Sequence, residues 1–343
     1  MPSTVSATAS PRTTAPSALT DRPPVVGFGI VLLAASLFGT LGPLSRFAYD
    51  AGMQPTPFVV WRGAIGFLAA AVFVGWRISR GSERLTRIGD LDTTARVSLA
   101  VAAMSGFLLN LSMFIAFDLV TVALALLGFY TYPVIVAVVN VALGRERMDR
   151  PRIVALTLAV LGMVAVVASQ VDPASGVRVD AVGFGLALAA AAFQALFVII
   201  SRSGYRQVPA SQAMSVVLAT TVVCGTVLAL VIGNGAGLTY PLREPSVLPL
   251  LVFTGLFAAA IPSIMFLTGI RLIGGTRAGI LMLFEPVVGV VLAALLLDER
   301  LAAIQVAGGF AILAAALVLQ RSAVGASDGT QDRTVVAPAV EAD

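Results

Sequence analysis

Two charged side chains stand inside long apolar runs of this sequence: Arg62, within residues 57–76, and Glu285, within residues 278–297 and followed by Pro286. A charge at membrane depth costs several kcal/mol unless it is neutralised, paired or wetted. Such residues therefore do chemistry or hold structure. Glu285 can contact a substrate ammonium or carry a coupling proton, or it can be a structural acid bonded to backbone that Pro286 loosens. Arg62 can grip a carboxylate or phosphate bidentately, pair with Glu285, or snorkel to the nearer interface. At 1.5 Å per residue Glu285 lies roughly 20 Å from the outer end of its span, and the two charges differ in depth by about 12 Å, which disfavours the pair.

Asn110, Tyr130, Tyr132 and Gln194 are polar groups in otherwise apolar segments. They can line a ligand cavity or hydrogen-bond between helices, and both readings stay open. Phe107, Phe114, Phe117, Phe129 and Phe193 are packing residues that can also face such a cavity. Pro133, after Tyr132, and Pro286, after Glu285, each remove a backbone donor, so both are expected to kink their helices toward one central region. No nucleophile with a base, no paired aspartates and no metal-ligand cluster lies at membrane depth; His is absent and Cys224 is the one cysteine. The GxxxxGK[ST] phosphate loop is also absent. The residues thus argue against an enzyme, an ATP-driven pump, a metal site, a cofactor and a disulfide framework, and Cys224 reads as a packing residue.

The elements that position these residues follow from composition. Of 343 residues 58% are hydrophobic and 12% charged, with a mean hydropathy of +0.96. That surface cannot be kept wet, so the fold class is all-α integral membrane, with no soluble domain. Crossing the hydrocarbon layer takes about 20 helical residues. Spans are predicted at 25–45, 57–76, 97–117, 121–143, 153–170, 181–201, 209–232, 247–270, 278–297 and 301–320, about ten in all. Residues 1–24 and 321–343 are polar tails, read as disordered. There is no Lys, and arginines collect at 77–96, 145–152, 202–206 and 271–277, while Arg46, Arg178, Arg243 and Arg300 fall in the alternate connections. Because cytoplasmic loops hold positive charge, both termini are expected inside, in a multi-pass protein of the cell membrane. The same arginines serve topology, so no nucleic-acid partner is implied.

The chain also repeats itself. Val26-Gly27-Phe28-Gly29 recurs as Val182-Gly183-Phe184-Gly185, and Ser45-Arg46 with Tyr49 recurs as Ser201-Arg202 with Tyr205, both at an offset of 156. Tyr132-Pro133 with Glu146-Arg147 recurs as Glu285-Pro286 with Glu299-Arg300 at an offset of 153. The repeats are placed at 25–170 and 181–320. With about five spans each, an odd number, the second copy enters the bilayer from the opposite side, giving two inverted five-helix repeats. Glycines at 63 and 66, 274 and 275, and 308 and 309 are expected to allow close helix contact.

These residues resemble the drug/metabolite transporter superfamily, in particular its EamA-like members. The matching segments are Phe38-Gly39, Trp61-Arg62-Gly63, Tyr132-Pro133 with Gly144-Arg145-Glu146-Arg147, and Leu283-Phe284-Glu285-Pro286 with Asp298-Glu299-Arg300-Leu301. Phe38 stands where the family often has Trp. The resemblance implies a secondary transporter of a small metabolite, such as an amino acid or related compound, working without ATP hydrolysis and by alternating access; export is the reading taken. The partners are then a small-molecule substrate and the lipid bilayer, with protons the candidate coupling ion. A monomer and a homodimer both remain open. The alternative is a membrane receptor or scaffold without transport.

Overall fold

The computed structural model describes residues 24–168, 180–297 and 302–334, and these residues contain helices and turns with no strand. Residues 24–168 form α1 (Pro24–Phe38), α2 (Leu41–Asp50), α3 (Pro55–Ser79), α4 (Thr93–Leu119), α5 (Val122–Phe129), α6 (Tyr132–Ala142) and α7 (Arg150–Ala168). Residues 180–334 form α8 (Ala181–Ser201), α9 (Ala210–Val231), the short α10 (Gly235–Leu238) and α11 (Tyr240–Arg243), α12 (Leu248–Gly255), α13 (Ile261–Ile273), α14 (Gly275–Met282), α15 (Glu285–Leu297) and α16 (Ala303–Thr334). Among the described residues eight helical stretches are long and apolar enough to cross a membrane, and Ala303–Leu319 is a shorter apolar helix. α16 continues as helix to Thr334, into the segment that the sequence marks as tail. Asp298, Glu299, Arg300 and Leu301, and residues 1–23 of the expected tail 1–24, lie outside the described residues, while Pro24 already begins α1.

Helix is the conformation that satisfies every backbone group where no water is available. The starts are set locally. Asp92 caps α4 by accepting from the Ala95 amide, Thr121 caps α5 by accepting from Leu124, and Asp180 caps α8 by accepting from Val182 and Gly183. Large apolar side chains such as Leu68, Val72, Leu161, Val223 and Phe310 are more than half exposed on the outside. In water that belt would be a liability; against lipid it is the expected surface.

Four spans that the sequence reads as continuous are interrupted, and each interruption lies just before a proline. α1 gives way to α2 at Gly39-Thr40, four residues before Pro43; α5 gives way to α6 at Tyr130-Thr131, before Pro133; α14 gives way to α15 at Leu283-Phe284, before Pro286. Between α12 and α13, Leu256–Ala260 widen into a π-turn before Pro262. A proline has no N–H for the carbonyl four residues back, so Gly39, Phe129, Ala258 and Met282 each lose a helical donor. At two of the breaks a hydroxyl also bonds back to the preceding turn: Thr40 and Thr131 donate to the carbonyls of Leu37 and Gly128 at 2.8 Å each.

Small residues bring the helices together, as packing in lipid requires. α4 runs along α8 and α1 along α13, α3 packs on α9, α7 on α16, and α6 meets α14. Ala102, Ala103, Ala187, Ala190, Ala191 and Ala195 are fully buried. Gly162 and Gly308 cross so tightly that a Cβ on either would stand 2.6 or 2.5 Å from the other's carbonyl oxygen. The turn between α13 and α14 passes through Gly274 at φ +92°, a left-handed conformation that favours glycine. Cys224 is half-buried on α9, with no disulfide.

Candidate functional site

The four interrupted spans converge on one cavity of about 120 Å³. Phe38, Leu41 and Gly42 reach it from the α1–α2 break, Leu126, Phe129 and Tyr132 from the α5–α6 break, Ser263 and Phe266 from the first turns of α13, and Met282 and Glu285 from the α14–α15 break. Continuous helices supply the remainder, among them Arg62 from α3, Asn110, Met113, Phe114 and Phe117 from α4, Gln194 and Phe197 from α8, and Met214 and Val217 from α9. A broken helix exposes backbone and end dipoles where a continuous one offers side chains alone, which is how solute sites are built inside membranes.

Arg62 is 5% exposed, so it does not snorkel to an interface. Its Nη2 donates to Asn110 Oδ1 at 2.9 Å and its Nη1 donates to the Ala258 carbonyl at 3.2 Å. That carbonyl is the one Pro262 leaves without a helical donor. The guanidinium also lies over the ring of Phe114, 5.1 Å from its centroid. Asn110 in turn donates from Nδ2 to the Gly106 carbonyl at 2.7 Å, which orients its amide oxygen toward Arg62. The hydrogen-bonding and cavity-lining readings of Asn110 therefore hold together.

Glu285 is half-buried on the cavity wall, and among the described residues no ion pair joins it to Arg62. The backbone beside it is crowded: a Cβ on Gly39 would lie 2.7 Å from the Glu285 carbonyl oxygen, so glycine lets the α1–α2 break meet the α14–α15 break. Tyr132 is 1% exposed, with its ring on the cavity wall and its hydroxyl within reach of Gln194. Tyr130 is fully buried behind that wall, its hydroxyl within reach of Glu285. Both hydroxyls lie within electrostatic reach of Glu285. Gln194 is 7% exposed and lines the cavity. Of the phenylalanines named from the sequence, Phe114, Phe117 and Phe129 face the cavity while Phe107 and Phe193 do not.

The lining obeys the repeat. Asn110 and Ser263, Met113 and Phe266, Phe129 and Met282, and Tyr132 and Glu285 are each separated by the offset of 153; Phe38 and Gln194, and Leu41 and Phe197, by the offset of 156. All twelve residues line the cavity. Residues at matched positions of two copies meet around one space, so the cavity belongs to both halves.

That two-copy construction is the mark of a known family. A family model described as the EamA-like transporter family matches residues 25–168 and again 181–321. The chain belongs to the EamA-like transporter family. The resemblance to drug/metabolite transporters is thereby borne out, and the multi-pass membrane architecture is that of a family of transporters, not of enzymes. One solved structure, titled "Crystal structure of protein", is similar over 87% of this chain and 97% of its own, at 20% identity and a TM-score of 0.66, a likeness of fold. No curated protein matches the chain.

For an EamA-like protein the informative residues missing from the sequence reading are Ser263, Met113, Met214, Met282, Phe197 and Phe266. A signal for several was present. Adding the repeat offsets to Asn110, Met113 and Leu41 gives Ser263, Phe266 and Phe197, and Pro43 and Pro262 mark two further breaks beside those at Pro133 and Pro286.

Proposed function

We propose that the chain is a secondary transporter that moves a small metabolite, such as an amino acid or related compound, out across the cytoplasmic membrane by alternating access. In this reading ten spans form two five-helix repeats of opposite orientation, 25–170 and 181–320, with both termini and the tails in the cytoplasm. The helix pairing supports it. Under the repeat correspondence α3–α9 and α7–α16 each map onto themselves, α4–α8 maps onto α13–α1, α5–α8 onto α14–α1 and α6–α8 onto α15–α1, as two units related by a two-fold axis require.

The observation that carries the functional reading is the cavity with a cation on one wall, a carboxylate on another and apolar side chains between them. Arg62, oriented by Asn110, receives the substrate carboxylate. Glu285, with Tyr132 and Gln194, receives the ammonium and is the candidate proton-coupling acid, Tyr130 supporting it from behind. Phe38, Phe114, Phe129 and Met282 contact the apolar remainder. The space suits a small solute, since an apolar cavity on the order of 150 Å³ accepts a benzene ring. Pro133 and Pro286 keep the two central breaks open.

The test is uptake and efflux of a pooled amino-acid and metabolite panel in proteoliposomes, wild type beside Glu285→Gln. Flux that loses its dependence on the pH gradient in the variant supports the coupling role. Flux that is equal in both makes Glu285 structural, and a panel in which nothing moves overturns the transporter reading.

A further inference from the structure

The motif shared by Ser45-Arg46 with Tyr49 and Ser201-Arg202 with Tyr205 is not used by the binding site, yet the structure gives its two copies matching partners. Arg46 Nη1 donates to the Phe117 carbonyl at 3.1 Å, in the last turn of α4. Arg202 Nη1 donates to the Ile270 carbonyl at 2.6 Å and to the Arg271 carbonyl at 3.0 Å, in the last turn of α13. Arg46 and Arg202 are related by the offset of 156, and Phe117 and Ile270 by the offset of 153. Each arginine thus caps the negative C-terminal end of the third long helix of its repeat, where carbonyls lack intrahelical donors. The tyrosines reinforce this. Tyr49 donates its hydroxyl to the Phe114 carbonyl at 3.2 Å; Tyr205 is fully buried, bonds Ser201, and lies under Arg271, whose guanidinium is 5.3 Å from the ring centroid and donates to the Tyr205 and Val208 carbonyls.

Both clasps sit where the cavity ends. Phe114 and Phe117, whose carbonyls are held by the first, line the cavity, and Phe197 and Phe266 line it one turn before Ser201 and Ile270 of the second. Each clasp also ties two differently packed pairs together, because α1 runs with α13 while α4 runs with α8. The first joins α2 to α4 and the second joins α8 to α13.

We propose that the two copies of this motif are the latches of the transporter's two gates: Arg46 and Tyr49 close the cavity toward one face of the membrane, and Arg202, Tyr205 and Arg271 close it toward the other. Opening to either face breaks one set and keeps its twin. The proposal rests on the alternating-access reading above. The sets are unequal: Arg46 is exposed and donates to one carbonyl, whereas Arg202 is half-buried, donates to two and is braced by Arg271. The resting cavity therefore opens more readily toward the Arg46 face.

The test uses a Cys224→Ser background with one reporter thiol, Ser263→Cys, and a membrane-impermeant maleimide applied to either face of oriented vesicles. Arg46→Ala is expected to raise labelling several-fold from the Arg46 face alone, and Arg202→Ala from the Arg202 face alone. Tyr49→Phe, which deletes one hydroxyl and leaves packing intact, is expected to act as Arg46→Ala does, more weakly, and Arg202→Lys to restore most of the wild-type rate. If the reporter is labelled from both faces at rates these variants leave unchanged, the latch assignment is overturned and alternating access stands. If no variant admits label from a second face, the alternating-access reading itself fails.

Discussion

Arg62 Nη2 and Asn110 Oδ1 are 2.9 Å apart, a charge-assisted bond between α3 and α4 on the wall of the central cavity. With the Ala258 carbonyl on its other arm and Phe114 beneath it, the guanidinium of α3 is held by α4 and by the π-turn Leu256–Ala260 at once. A buried cation so restrained is preorganised for the anion we propose it receives, and its restraints are individually removable.

Asn110→Leu removes one of them. A hydrogen bond to a charged group contributes about 1.5–3 kcal/mol, so a carboxylate-bearing solute is expected to bind roughly tenfold or more weakly. An analogue lacking the carboxylate is expected to change little. Competition binding on purified protein measures both, and equal losses for the two solutes rule out a carboxylate role for Arg62.

Arg62→Lys is expected not to restore this recognition. An ammonium cannot donate in a planar fork to Asn110, Ala258 and a ligand together. Kd measured for the same solute pair checks this; wild-type affinity in the lysine variant makes Arg62 a point charge only.

Gly39→Ala is expected to disturb the site from the backbone, since its Cβ would meet the Glu285 carbonyl oxygen at 2.7 Å. Overpacking of this kind costs roughly 1–3 kcal/mol. Gly29→Ala on the preceding helix α1, with nothing within 4 Å, is the control. Thermal unfolding in detergent should separate them, Gly39→Ala lowering Tm and Gly29→Ala leaving it unchanged.

Gly162→Ala and Gly308→Ala are expected each to destabilise the α7–α16 crossing, and the double variant to cost less than the two combined. Both push the same helices apart, so the second methyl enters space the first has opened, the non-additivity of touching sites. Tm values of the three proteins supply the cycle; strict additivity would show the crossing to be no shared contact.

Much was legible in the sequence because bilayer physics is severe. The long apolar runs of this chain had to be helices, since lipid offers backbone groups no other partner. Arg62 and Glu285 stood out because a charge at that depth is costly, and the offsets between Tyr132 and Glu285 and between Arg46 and Arg202 disclosed two copies of one unit. The kinks at Pro133 and Pro286 were readable for the same reason, a missing N–H.

The tertiary structure alone decided what those residues meet. Neither sequence depth nor composition tells whether Arg62 points to an interface or inward; its burial between Asn110 and Ala258 depends on α12 and the π-turn Leu256–Ala260 approaching α3, nearly two hundred residues away in sequence. Tyr130 and Tyr132 are two residues apart and chemically alike, yet Tyr132 lines the cavity and Tyr130 does not, the break between α5 and α6 falling between them. Sequence names the groups that cannot be left alone in lipid. Only long-range packing, which brings the helix breaks around one space, assigns each its neighbour.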